Sequence, residues 1–128
     1  MKVLLDTHTL VWALLSRASL SNQASTLIAD QENEILVSAA SAWEIATKVR
    51  LGKFPTAEPL ERRFLEAVDE AGYALLPISA ETALRAGRFT ANHGDPFDRI
   101  IAAQALALDI PIISLDAKLD RFSVRRIW

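Results

Sequence analysis

Four acidic residues stand where an apolar stretch meets a polar one. Asp6 follows Val3-Leu4-Leu5. Glu44 comes a few residues after Ile35-Leu36-Val37. Asp98 precedes the apolar run from Ile100 to Leu108, and Asp116 follows Ile112-Ile113-Ser114-Leu115. Carboxylates gathered in one pocket repel one another unless a cation compensates them. In a chain with no cysteine, hard oxygen donors favour Mg²⁺ or Mn²⁺ over zinc. Such ions work on phosphates. They position a water, lower its pKa and stabilise the charge that develops on the attacked group. The chemistry these residues predict is hydrolysis of a phosphodiester, and the spacing leaves open whether one metal is used or two.

The elements that would position the acids can be read from apolar patterning. Residues 3–5, 35–37, 73–76 and 111–115 are short apolar runs that predict buried strands, with a short edge strand near 124–128. Between them, helices are expected over residues 10–15, from a cap at Ser21 or Asn22 through Ile28, and over 41–51, 59–71 and 80–89. A last helix is expected to begin at Pro96 and run to about Asp109. Thr7-His8-Thr9 is read as a break after the first strand. Pro96 suits the first helical position, and Asp95 before it is a natural N-cap. From Ile100 to Leu108 only Gln104 is polar, which predicts a buried helix. Strands alternating with helices predict an α/β fold with a parallel sheet covered on both faces. In such sheets ligands bind beyond the carboxyl ends of the strands, near a topological switch point.

The bulk composition narrows the function class. A chain of 128 residues without internal repeat or linker is expected to form a single domain, 1–128. A net charge of −2 gives no global basic field, so a nucleic-acid partner would need local basic patches. Lys48, Arg50 and Lys53, Arg85 and Arg88, and Arg121, Arg125 and Arg126 could supply them, or could simply form solvated faces. Lys2 is followed by only three apolar residues before Asp6, so no signal peptide is expected. No apolar run approaches the length needed to span a bilayer. These features predict a cytoplasmic protein with no membrane association.

Each residue also has a plainer structural role. Ser41 and Glu44 have capping-box spacing, so Glu44 in the first turn of its helix would bond only a backbone N–H. Asp98 in a helix first turn is favoured by the dipole. Asp6 and Asp116 could be turn formers or caps. Asp95 could orient Arg99 or reach a metal, but reads first as the cap before Pro96. The hydroxyls of Thr7, Thr9 and Ser114 could hold a metal water or serve their turns. His8 and His93 read as structural. Trp43 reads as core, while Trp12 and Trp128 could face a partner. A purely structural account, however, needs four separate coincidences at one end of one sheet. It also leaves Asp6 as a lone carboxylate partly desolvated at a strand end.

Four segments carry a family resemblance: Leu4-Leu5-Asp6-Thr7-His8, Ser38-Ala39-Ala40-Ser41-Ala42-Trp43-Glu44-Ile45, Asp95-Pro96-Phe97-Asp98-Arg99-Ile100-Ile101-Ala102-Ala103-Gln104-Ala105 and Ser114-Leu115-Asp116. In this order they resemble the PIN-domain ribonucleases and, more narrowly, the VapC-type toxins of bacterial toxin–antitoxin pairs. The resemblance implies a PIN-like three-layer α/β/α domain with a central, mostly parallel sheet of four to five strands. It implies that Asp6, Glu44, Asp98 and Asp116 form a metal-binding acidic quartet, with Asp120 the rival of Asp116 for the fourth place. Thr7, Asp95, Ser114 and Arg99 would support them. It further implies a Mg²⁺- or Mn²⁺-dependent endoribonuclease that blocks translation. The partners it implies are a VapB-like antitoxin whose tail enters the acidic groove, an RNA substrate and a second copy of the chain.

Three other functions compete with this reading. A phosphatase with an aspartyl nucleophile wants a second acid two residues after the first, where this chain has His8. A metal-dependent DNA nuclease would use the same carboxylates. A non-catalytic regulatory domain would not need all four acids.

Overall fold

The computed structural model describes residues 1–128. Its strands are β1 (Lys2–Leu5), β2 (Glu34–Ser38), β3 (Ala74–Leu76), β4 (Ile112–Ile113) and β5 (Arg126–Ile127). Its α-helices are α1 (Thr7–Leu15), α2 (Asn22–Ala29), α3 (Ala39–Arg50), α4 (Glu58–Arg62), α5 (Phe64–Glu70), α6 (Ala80–Arg88) and α7 (Pro96–Leu108). The strands form one sheet in the order β3-β2-β1-β4-β5, and every neighbouring pair is parallel. The chain builds outward from β1 through β2 to β3, then returns to the other side of β1 with β4 and β5. The switch point therefore lies between β1 and β4, both central and buried.

Alternating side chains of the strands feed two apolar layers. Val3, Leu5, Ile35, Val37 and Ile113 pack with Leu10 and Val11 of α1, Ala24 and Ile28 of α2, Leu60 of α4 and Val68 of α5. Leu4, Leu36 and Ile112 pack on the other face with Ile101, Ala102 and Ala105 of α7, and with Leu119 and Phe122. The small residues of α7 let it lie close against the central strands. The result is the expected three-layer α/β/α arrangement, with a fully parallel five-stranded sheet.

Several boundaries differ from the sequence reading, for local reasons. Thr7-His8-Thr9 does not break the chain but forms the first turn of α1, because the Asp6 carboxylate caps it by accepting from the Thr9 N–H at 2.8 Å. Helix α3 starts at Ala39 instead of Ser41, capped by the Ser38 hydroxyl, which accepts from the Ala40 N–H at 3.0 Å. The span expected as one helix over 59–71 is split at Arg63, whose N–H reaches back only three residues to Leu60. Leu65 is 67% exposed beyond that kink. Strand β4 is shorter than expected because Pro111 has no N–H for the ladder and Leu115 has already turned to solvent. Leu108, at the end of α7, is also exposed. Trp43 is not core: it is 53% exposed and lies edge-on against Phe97.

Candidate active site

The carboxyl ends of β1 and β4 open into a cavity of about 270 Å³, lined by Asp6, Thr7, His8, Trp12, Glu44, Lys48, Asp95, Asp98, Leu115 and Asp116. All four acids singled out in the sequence line it, each arriving on a different element. A larger hollow of about 730 Å³ lies at the opposite end of the sheet, beside Ile35 and Tyr73, and gathers none of them.

Asp6 sits at the floor. It is buried, and both its oxygens are engaged: Oδ1 accepts from the Thr9 N–H, and Oδ2 accepts from the Ser114 hydroxyl. Burial pushes its carboxyl above the ordinary carboxylate range, and the bonds from Ser114 and Thr9 offset this only partly. Ser114 is fully buried and bonds two acids. While donating to Asp6, its Oγ accepts from the Asp116 N–H at 2.9 Å. Asp116 is half-buried and caps the 3₁₀ turn Ala117–Phe122 through the Lys118 N–H. Its rival Asp120 is exposed, points away and forms a two-pronged ion pair with Arg126 that lowers its pKa. Asp116, not Asp120, faces the cavity.

Glu44 lies in the second turn of α3, one turn further in than expected. The early start of the helix at Ala39 prevents the Ser41–Glu44 capping box and turns both side chains toward α1. Thr7 donates its hydroxyl proton to Glu44 Oε1 at 2.5 Å. With that proton used, Ser41 must be the donor in its 3.0 Å contact with Thr7 Oγ1. The second oxygen of Glu44 accepts from the Lys48 ammonium. Burial opposes the Lys48 charge, but the bond to Glu44 and the nearby Asp95 and Asp98 outweigh it and raise its pKa. The sequence left Lys48 open between a phosphate-contacting patch and a solvated face. Its position four residues after a buried acid was the available signal.

Asp98 stands in the first turn of α7, half-buried, with Oδ2 2.8 Å from His93 Nε2. Desolvation lifts its carboxyl from the ordinary 3.8 to about 6; His93 opposes the rise, and the charges of Asp95 and Glu44 add to it. Asp95 is the cap, as its place before Pro96 suggested: Oδ1 accepts from the N–H groups of Phe97 and Asp98 at 2.8 and 3.1 Å. Arg99 is not oriented by Asp95. Its guanidinium instead donates to the carbonyls of Ala86, Phe89 and His93 and so ties down the loop that carries His93 and Asp95. The His93 contact had no signal in the sequence, because an irregular loop sets it.

Five carboxylates and one ammonium line this cavity, and every candidate ligand atom on the acids is oxygen. As they stand, no three of the acidic or histidine side chains are placed to hold one ion between them. Mg²⁺ needs no such cage, since it keeps several waters and takes one or two carboxylates. The buried, desolvated Asp6 and its acidic neighbours therefore fit a hydrated hard cation.

A PIN domain family model matches residues 3–124 of the chain. The chain belongs to the PIN-domain family. Within it, the Ribonuclease VapC16 of Mycobacterium tuberculosis is 40% identical over 67 residues, a stretch covering 52% of this chain and 46% of that protein. The match thus spans about half the length of that relative. Among solved structures, this PIN domain resembles VapBC2 from Rickettsia felis bound to a DNA fragment from their promoter, with a TM-score of 0.68, 16% identity and coverage of 99% of this chain and 98% of that one. It also resembles FitAcB from Neisseria gonorrhoeae, with a TM-score of 0.65, 21% identity and coverage of 98% and 96%. These two likenesses establish the PIN fold. No helix is long and apolar enough to cross a membrane.

Proposed function

We propose that this PIN domain, spanning residues 1–128, is a Mg²⁺- or Mn²⁺-dependent endoribonuclease. In this reading it is the toxin of a type II toxin–antitoxin system, acting in the cytoplasm, hydrolysing RNA phosphodiester bonds and so inhibiting translation. One observation carries the reading: Asp6, Glu44, Asp98 and Asp116 reach one cleft from four separate elements at the sheet's switch point. The relative named as a ribonuclease supports the RNA substrate. The solved relative named VapBC2 supports a VapB-like antitoxin as partner. A homodimer completes the proposal.

Asp6, Glu44, Asp98 and Asp116 would hold the divalent ion, directly or through its waters. When bound, the ion supplies a Lewis acid and a more acidic water for attack on phosphorus. The chain's own part is positioning. Ser114 and the Thr9 N–H lock the Asp6 carboxylate, while Thr7 and Ser41 fix Glu44. Asp95 sets where α7 begins, and with it the place of Asp98. Fixed ligands matter because such sites tolerate little slack.

The test is to incubate the purified chain with total RNA and with matched DNA, each in Mg²⁺, in Mn²⁺ and in EDTA. Metal-dependent cleavage of RNA, with the new ends sequenced, is expected. Cleavage of DNA alone would make the protein a DNA nuclease, and no cleavage of either would leave it a binding domain.

A further inference from the structure

Lys48 is the one cation in an otherwise acidic cleft. It does not stray into solvent as a surface lysine would. Its ammonium is bonded to Glu44, and its side chain is only 27% exposed. The ammonium also lies 5.9 Å from the centroid of the Phe97 ring, which itself follows the Asp95–Pro96 cap of α7. Lys48 therefore bridges the two helices that carry Glu44 and Asp98. The other oxygen of Glu44 is occupied by Thr7. Both oxygens of Glu44 thus already accept a hydrogen bond before any divalent ion arrives.

We propose that Lys48 is a resident counter-ion that shares Glu44 with the divalent metal. In the metal-free protein its ammonium neutralises part of the carboxylate repulsion and holds Glu44 in place. When the metal binds, the ammonium must give up Glu44 or share it, so Lys48 lowers the cleft's affinity for the ion while keeping the empty cleft folded. Arg50, on the same helix, serves as a contrast: it is exposed and lies outside the cleft. A helix-surface ion pair with no bearing on metal would predict no difference between the two positions in metal binding.

This inference rests on the proposed metal-dependent reading, and the experiment separates the two. Mn²⁺ binding is measured by titration calorimetry on the wild-type chain and on Lys48→Met, Lys48→Gln, Lys48→Arg and Arg50→Met, together with the melting temperature of each in EDTA. Lys48→Met and Lys48→Gln are expected to bind Mn²⁺ about tenfold more tightly and to melt lower without metal. Lys48→Arg and Arg50→Met should stay near wild type in both measurements. Unchanged or weaker Mn²⁺ binding by Lys48→Met and Lys48→Gln would overturn the counter-ion role. A wild-type chain that binds no Mn²⁺ would instead overturn the metal-dependent reading beneath it.

Discussion

At Asp98, burial and neighbouring negative charge together disfavour the ionised carboxyl. Its carboxyl is lifted to about 6 chiefly by desolvation, with Asp95 and Glu44 adding repulsion. A carboxyl whose folded pKa exceeds its unfolded value holds its proton more tightly in the folded chain. Between about pH 4 and 6 the folded state therefore carries more protons, and this group's contribution to stability falls as pH rises through that window. The loss should be about 1–2 kcal/mol after allowing for partial exposure. Thermal melts of the EDTA-treated protein across this range should show it, and Asp98→Asn, which cannot ionise, should melt with a shallower pH slope and higher at neutral pH. An unchanged slope in Asp98→Asn would assign the effect to another group. The buried Asp6 is raised in the same direction, so its contribution adds to the slope that remains.

Helix starts are the devices that aim the acids. Ser38 begins α3 early enough to point Glu44 at Thr7, and Asp95 begins α7 where Asp98 meets the cleft. If Asp95 acts as a cap, Asp95→Ala should cost about 1 kcal/mol, while Asp95→Asn, an equally good cap, should be near neutral. Chemical denaturation measures both, and equal losses in the two variants would show that the charge of Asp95 matters instead. These devices also explain what could be read in advance. The Asp95–Pro96 cap was legible because its chemistry is local and Pro restricts where a helix can begin. The start of α3 was not, since Ser38 and Ser41 are both good caps and only packing against α1 chooses between them. Trp43 misled for a related reason. Its size suggested the core, but its register on α3, one residue before the buried Glu44, turns it outward. The convergence of the acids was readable from strand ends, whereas the contacts of His93 and Lys48 depend on how a loop and two helices meet in space.

At the scale of the whole molecule, a parallel sheet with its switch point between β1 and β4 collects four carboxylates at one end and leaves them short of positive charge. A divalent ion that binds the folded chain and not the unfolded one must stabilise it by mass action. Saturating Mn²⁺ should raise the melting temperature of the wild-type chain by several degrees, roughly the gain from binding at a hundred times the dissociation constant. Differential scanning fluorimetry should show that rise, reduced in Asp6→Asn. Stabilisation by EDTA relative to Mn²⁺ would mean the acids are satisfied without a metal. RNA cleavage in Mn²⁺ by folded Asp6→Asn and Asp98→Asn proteins tests the role of the acidic cleft most directly. The predicted result is a loss of at least about a hundredfold in each, with the fold intact by circular dichroism. Cleavage near the wild-type rate by either variant would contradict it.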